Sequence, residues 1–195
     1  MKKCVSVICI LAVILTASGC SSSFQPSVTS IYIQDNGKIT QAIVESFEKE
    51  YYSSQELQSM IEKEVDAYNS GYGEERITIQ KADVEADTLY LLIDFQDADT
   101  YGQYNEVYCF SGTVEQALDE GLSFDMLFKD TQYEEYSAAD VTEKKSDSVV
   151  VLKEEEIVQL QRPVKYVSNN VDIISERMVQ VMPIEEEEEY AYIIY

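Results

Sequence analysis

The chain contains no histidine and no tryptophan. Without histidine there is no Ser-His-Asp or Cys-His mechanism, and the commonest side-chain ligand of transition metals is missing. The sequence also lacks a CxxC pair, a GxSxG nucleophile turn and a glycine-rich phosphate loop. We therefore predict no cofactor, no resident metal and no catalytic residues.

Basic residues are also scarce. Lysine and arginine total 14 against 37 aspartates and glutamates, which gives a net charge of −23. Nucleic acid is excluded as a partner, because phosphate binding needs a basic patch. Anionic lipid headgroups should repel the body of the protein, and the same acidity keeps a protein soluble outside the cell.

The N-terminus has the organisation of a lipoprotein signal. Lys2 and Lys3 precede an apolar run over 4–15, which has the length of a signal peptide core and is too short to span a bilayer comfortably. Small residues then lead to Cys20 and resemble a lipobox, although Ala17 stands where leucine is commoner. We predict cleavage after residue 19, lipid on Cys20 and a location on the extracytoplasmic face of the cell membrane. The alternative is an ordinary secretory signal.

Cleavage changes the cysteine and charge counts. Cys4 and Cys9 leave with the signal and Cys20 carries lipid, so Cys109 is the one remaining thiol and no disulfide can form within the mature chain. The loss of two lysines leaves 12 basic and 37 acidic side chains. We expect residues 20–30 to be a polar tether and 31–195 to fold around one core.

Hydrophobic alternation predicts a mainly antiparallel α+β fold. Asn36-Gly37 predicts a hairpin with a type I′ turn, and a second hairpin is expected to turn at Ala86-Asp87. Several β-type segments follow residue 148, so 148–195 either forms a β-rich C-terminal module or completes the first sheet. The total is about ten short strands and two or three helices.

Capping residues and apolar spacing place the helices. Ser53 and Glu56 predict the start of a first helix, which Gly71 and Gly73 end. Its apolar face is Leu57, Ile61, Val65 and Tyr68.

A short helix or loop is expected over 97–105. Thr113 and Gln116 predict the cap of another short helix with Val114 and Leu118 facing inward. Phe124, Met126 and Phe128 alternate as in a strand, and 129–147 should be an irregular connection with a helical turn near 137–141.

Five parts of the chain are distinctive as a set: 27–33 with Asn36-Gly37, Tyr51-Tyr52, 112–114, 164–171 and 191–195. Together they resemble a family of uncharacterised lipoproteins from clostridia-type Gram-positive bacteria. The resemblance covers the whole mature chain and implies a shared location and fold, without an activity.

Two patterns imitate functional motifs. Ser46 and Lys49 match S-x-x-K of penicillin-binding enzymes, but K-T-G is absent and Ser46 is expected to end a strand. Residues 97–102 begin like a calcium loop, but Tyr101 and Tyr108 stand where oxygen ligands are needed. We expect the aspartates of this segment to cap a short helix.

Three further features favour structural interpretations. Cys109 is expected to be a small buried hydrophobic side chain, and 185–189 a solvated acidic loop, although such a run can attract a divalent cation. Most of the 15 tyrosines should be half-buried. An exposed group of them would suit a sugar or a protein surface.

We therefore expect a non-enzymatic lipoprotein that binds or scaffolds an envelope protein or glycan. The alternative is a carboxylate-dependent glycan hydrolase, since any of the many acidic residues can pair. A deep cleft with two facing carboxylates would favour the enzyme, whereas an exposed tyrosine or apolar patch would favour the binder.

Overall fold

The computed structural model describes residue 24 and residues 26–47, 53–183 and 190–195. Four helices are found there: α1 (Ser54–Tyr72), α2 (Ala98–Asn105), α3 (Val114–Asp119) and α4 (Ala138–Thr142). The strands are β1 (Ser30–Ile33), β2 (Ile39–Ser46), β3 (Ile77–Glu85), β4 (Thr88–Phe95), β5 (Cys109–Thr113), β6 (Phe128–Lys129), β7 (Glu135–Tyr136), β8 (Ser148–Leu152), β9 (Ile157–Leu160), β10 (Tyr166–Ser168), β11 (Val171–Ser175), β12 (Met178–Val181) and β13 (Ala191–Ile194).

The strands form two sheets. Sheet A has the order β11-β12-β9-β1-β2-β4-β3, and sheet B has the order β5-β8-β13-β10-β6-β7. All pairings within the described residues are antiparallel except that of β1 with β9. The predicted α+β class with mainly antiparallel sheet is confirmed.

The two predicted hairpins form, with different turns. Ala86 and Asp87 both have positive φ, at 46° and 61°, and join β3 to β4 as a two-residue turn of the I′ kind. Between β1 and β2 only Gly37 has positive φ, at 84°, and the amide of Gln34 donates to the carbonyl of Lys38. The first connection is therefore a three-residue loop rather than the predicted type I′ turn.

The long helix α1 follows the predicted pattern, except that Gly71, which was predicted to end it with Gly73, lies inside the helix. The Ser53 side chain accepts from the amide of Glu56, and the helix ends at Gly73, whose φ of 71° suits glycine. Ile61 and Val65 are buried against sheet A. The apolar spacing therefore identified the face that packs.

Two predictions around α3 are wrong. Thr113 and Gln116 do form the predicted capping box, but Leu118 is 37% exposed and Ala117 is buried in its place. The predicted strand over 124–128 is reduced to Phe128–Lys129. Phe124 is nevertheless buried, because it packs 4.9 Å from the ring of Tyr192. The aromatic residues fill a core here without forming a strand ladder.

The C-terminal part of the chain contributes to both sheets. The strands β8, β10 and β13 lie in sheet B, and β9, β11 and β12 lie in sheet A. The strand β9, which the sequence analysis missed, runs parallel to β1 with Ile31 opposite Val158. The segment 148–195 therefore completes the two sheets of the main domain.

The sheets pack face to face. One apolar cluster lies between them and extends under α1, and it includes Ile31 and Ile33 of sheet A with Val150 and Ile193 of sheet B. A second cluster covers the opposite face of sheet B, where α3 and α4 pack on side chains such as Val151. The result is a layered domain in which sheet B lies in the middle.

Candidate functional site

A cleft of about 870 Å³ opens on the α3 side of sheet B. We call it the tyrosine cleft. Its lining residues come from the start of β5, the loop after α3, the end of β8, the β10–β11 turn and the start of β13. They are Tyr108, Glu120, Gly121, Leu122, Ser123, Met126, Lys153, Asn169, Tyr190 and Tyr192.

Two tyrosine rings and a lysine form one wall of the cleft. The rings of Tyr108 and Tyr190 meet edge to face, with centroids 5.0 Å apart and planes inclined by 73°. The Nζ atom of Lys153 lies 5.6 Å from the centroid of Tyr190. Half-buried aromatic rings beside an ammonium group offer both apolar and polar contacts to a ligand.

Hydrogen bonds to two backbone carbonyls fix the chain segments that carry these side chains. The amide of Lys153 donates to the carbonyl of Tyr108 at 3.2 Å, which continues the pairing of β5 with β8. On the other strand, Nδ2 of Asn170 donates to the carbonyl of Tyr190 at 3.2 Å. The cleft wall is thus attached to the rigid centre of sheet B.

The hydroxyls of Tyr192 and Tyr108 stay protonated at neutral pH. Burial raises the pKa of Tyr192 to about 12, with the neighbouring phenols Tyr108 and Tyr190 adding to the effect. Burial also raises the pKa of Tyr108, and Tyr190 and Glu120 raise it further. Protonated hydroxyls can donate and accept hydrogen bonds, as a polar ligand requires.

A second cavity of about 540 Å³ adjoins the first, since both are lined by Tyr108 and Glu120. It runs along β5, the edge strand of sheet B, towards the start of α2. Asp97, Asp99 and Gln103 contribute polar groups there. The two cavities together form an elongated surface with aromatic, amide, hydroxyl and carboxylate groups.

A separate pair of acidic residues is half-buried in the segment between β8 and β9. The hydroxyl of Tyr101 donates to Oε1 of Glu154 at 2.8 Å, and Oε1 of Glu156 accepts from the amide of Ile157 at 2.8 Å. Burial raises the pKa of Glu156 to about 7 and also raises that of Glu154, which its bond with Tyr101 opposes. Neither is among the residues that line the two cavities. This pair was not found from the sequence, where nothing distinguishes two glutamates among so many acidic residues.

The residues that imitated functional motifs have structural roles. Ser46 ends β2, as predicted, while Lys49 lies outside the described residues. Asp97 caps α2, as predicted, by accepting from the amide of Thr100 at 2.8 Å. Asp99 accepts from Nε2 of Gln103 at 2.8 Å.

Cys109 lies in β5 and packs against the core between the sheets as a small hydrophobic side chain, but it is half-buried, whereas a buried position was predicted. Burial raises the pKa of its thiol, and the charge of Glu154 raises it further. A thiol of this kind is a poor nucleophile at neutral pH. Cys20 and the acidic run 185–189 lie outside the described residues.

No helix within the described residues is long and apolar enough to cross a membrane, and no group of three or more Cys, Asp or Glu side chains there is arranged to hold a metal ion.

Comparison with protein-family models, with curated proteins and with solved structures gave no match. The resemblance to uncharacterised clostridial lipoproteins therefore stays a prediction.

Proposed function

We propose that this protein is a lipid-anchored extracytoplasmic binding protein that takes a glycan of the cell envelope in the tyrosine cleft. The observation that carries the proposal is the cleft itself, in which the rings of Tyr108 and Tyr190 stand beside Lys153. A sugar ring presents apolar C–H groups beside hydroxyls, so aromatic rings and hydrogen-bonding side chains complement it together. The lipid on Cys20 would hold the domain that carries this cleft at the membrane.

Non-catalytic binding fits the arrangement better than hydrolysis. The carboxyl group whose pKa lies near neutrality, that of Glu156, is not part of the cleft lining. A glycosidase needs an acid of raised pKa and a second carboxylate on opposite sides of one bond. Release of reducing ends from purified wall glycan by the soluble domain would favour the hydrolase and count against this proposal.

The binding proposal is tested with soluble N-acetylglucosamine oligomers and solubilised wall glycan as probes. Titration calorimetry should detect binding to the wild-type domain, and Tyr108→Ala should weaken it at least tenfold through loss of a ring contact. Tyr133→Ala is the matched control, because Tyr133 is 62% exposed on the β6–β7 turn and lies outside the cleft. Equal affinity of both variants for the probe, or no binding of either probe by the wild type, would refute the cleft as a glycan site.

The anchor is tested separately. Cys20→Ala should abolish incorporation of labelled fatty acid and move the protein out of the membrane fraction, or leave it unprocessed. Normal lipid labelling of this variant would refute lipidation at Cys20.

A further inference from the structure

The chain that precedes β1 lies against one face of sheet A. The ring of Phe24 stacks on Tyr32, with centroids 4.9 Å apart and planes inclined by 12°. Nearer the strand, Oγ1 of Thr29 accepts from the amide of Val44 at 3.0 Å. Ser30, expected as the last tether residue, already belongs to β1. The part of the tether segment that the structure describes is thus attached to the domain.

The strand register identifies the face on which Phe24 lies. Ile31 and Ile33 point into the core between the sheets, where both are fully buried. Tyr32 lies between them and therefore points to the opposite side of sheet A, because successive side chains of a strand alternate. We call this side the outer face of sheet A.

Other strands extend the outer face. Pairing places Tyr32 opposite Thr40 on β2 and opposite Gln159 on β9. By the same alternation, Tyr90, Leu92 and Gln180 lie on this face. The four helices within the described residues pack elsewhere, since α1 and α2 contribute to the cluster between the sheets and α3 and α4 cover sheet B. The outer face is therefore a partly exposed surface that carries two tyrosines, Leu92 and the carboxylate of Asp94, while Thr40 and Ala42 on it are buried.

The distance from Phe24 to the predicted anchor is short. Phe24 is the fourth residue after Cys20, and four extended residue steps span at most about 14 Å. A domain of about 165 residues is roughly 40 Å across. The tether is thus too short to bring the far side of the domain to the membrane while Phe24 stays on Tyr32.

We propose that the outer face of sheet A lies against the lipid headgroups and that the tyrosine cleft, on the far side of sheet B, faces away from the membrane. The inference depends on lipidation at Cys20, as in the proposed function. Tyr32 and Tyr90 suit this contact, because tyrosine is favoured at the boundary between headgroups and water. The excess of acidic over basic side chains after cleavage, 37 against 12, disfavours a deeper or wider contact with anionic lipid. In this orientation the cleft is open to the wall side of the envelope.

The orientation is tested with the lipidated full-length protein in phosphatidylcholine vesicles that contain a nitroxide-headgroup quencher. One fluorophore is attached through Gln180→Cys on the outer face, and another through Leu118→Cys on α3, both in a Cys109→Ala background. We expect the probe at position 180 to be quenched several-fold more than the probe at position 118. Phe24→Ala should reduce the difference in quenching between the two positions, because it removes the Phe24–Tyr32 stack and so lengthens the free tether.

The outcomes separate the orientation from the anchor. Failure of the lipidated protein to sediment with vesicles would remove the anchor and, with it, the orientation. Sedimentation with equal quenching at both positions, or with stronger quenching at position 118, would refute the orientation alone. A difference that persists unchanged in Phe24→Ala would refute the role of the stack in setting it.

Discussion

The hydroxyl of Tyr101 donates a hydrogen bond of 2.8 Å to Oε1 of Glu154, 53 residues further along the chain. Tyr101 is fully buried on α2, and Glu154 lies in the segment between β8 of sheet B and β9 of sheet A. Among the ion pairs found within the described residues, none involves Glu154 or Glu156. The bond therefore joins a helix to the segment that crosses between the sheets, at a place where two carboxyl groups lack a cation.

Glu156 should make the folded protein less stable as the pH rises. Burial raises its pKa from 4.5 to about 7, so the folded state retains a proton that the unfolded state has lost. Glu156 leaves the free energy of unfolding unchanged below about pH 4.5, where both states are protonated. It lowers the free energy of unfolding as the pH rises from there through about 7. Because the side chain is partly exposed, we expect a loss of about 1–2 kcal/mol.

Urea denaturation at pH 4.5 and pH 8 measures the pH dependence of stability that Glu156 should cause. Glu156→Gln should be more stable than the wild type at pH 8 by about 1–2 kcal/mol and nearly equal to it at pH 4.5. Glu155→Gln is the control, since Glu155 is exposed and its replacement should change stability by less than about 0.5 kcal/mol. Identical stability of Glu156→Gln and the wild type at pH 8 would contradict the prediction.

Tyr101→Phe should destabilise the fold through the loss of one hydrogen bond. The ring remains packed edge to face on Phe95, 5.3 Å away, so the main change is an unsatisfied carboxyl of Glu154. Loss of a bond to a charged group corresponds to about 1.5–3 kcal/mol in the free energy of unfolding. Thermal and urea denaturation at pH 8 measure it.

Tyr104→Phe is the matched control for that measurement, because the Tyr104 hydroxyl makes no hydrogen bond within the described part of the chain. Adding Glu154→Gln to Tyr101→Phe should recover part of the lost stability, since the amide at position 154 carries no charge that needs a partner. A stability loss in Tyr101→Phe no larger than that in Tyr104→Phe would show that the bond contributes little.

Gly102 should be intolerant of even a methyl group, because α2 approaches β5 closely at this residue. A Cβ atom at Gly102 would lie 2.8 Å from the carbonyl oxygen of Val107 and 3.5 Å from the amide nitrogen of Cys109. Backbone atoms cannot move aside cheaply, so Gly102→Ala should lower the free energy of unfolding by about 1–3 kcal/mol.

Gly71→Ala is the matched control within α1, where a Cβ atom would meet nothing within 4 Å. It should stabilise the protein by up to about 1 kcal/mol, as alanine does in helix interiors. Opposite signs for the two substitutions are expected in urea denaturation. If the two substitutions changed the free energy of unfolding equally, α2 and β5 would be able to move apart at no cost in stability.

The elements with local signals were predictable from the sequence alone. Alternating apolar residues identify β4, and the Thr113–Gln116 capping box marks the start of α3. Ser53, the Ile61–Val65 spacing and Gly73 bound and orient α1. These signals depend on residues within a few positions of one another, so the antiparallel α+β class followed from them.

Long-range pairing decided the rest. The parallel contact of β1 with β9 joins residues more than a hundred positions apart, and nothing local indicates it. The tyrosine cleft likewise needs Tyr108, Lys153 and Tyr190, which come together only through the order of strands in sheet B. The acidity follows from composition alone, and the signal pattern that ends at Cys20 stays a prediction. Only burial in the folded chain could distinguish Glu156 from its acidic neighbours, because desolvation depends on what surrounds a side chain and not on its place in the sequence.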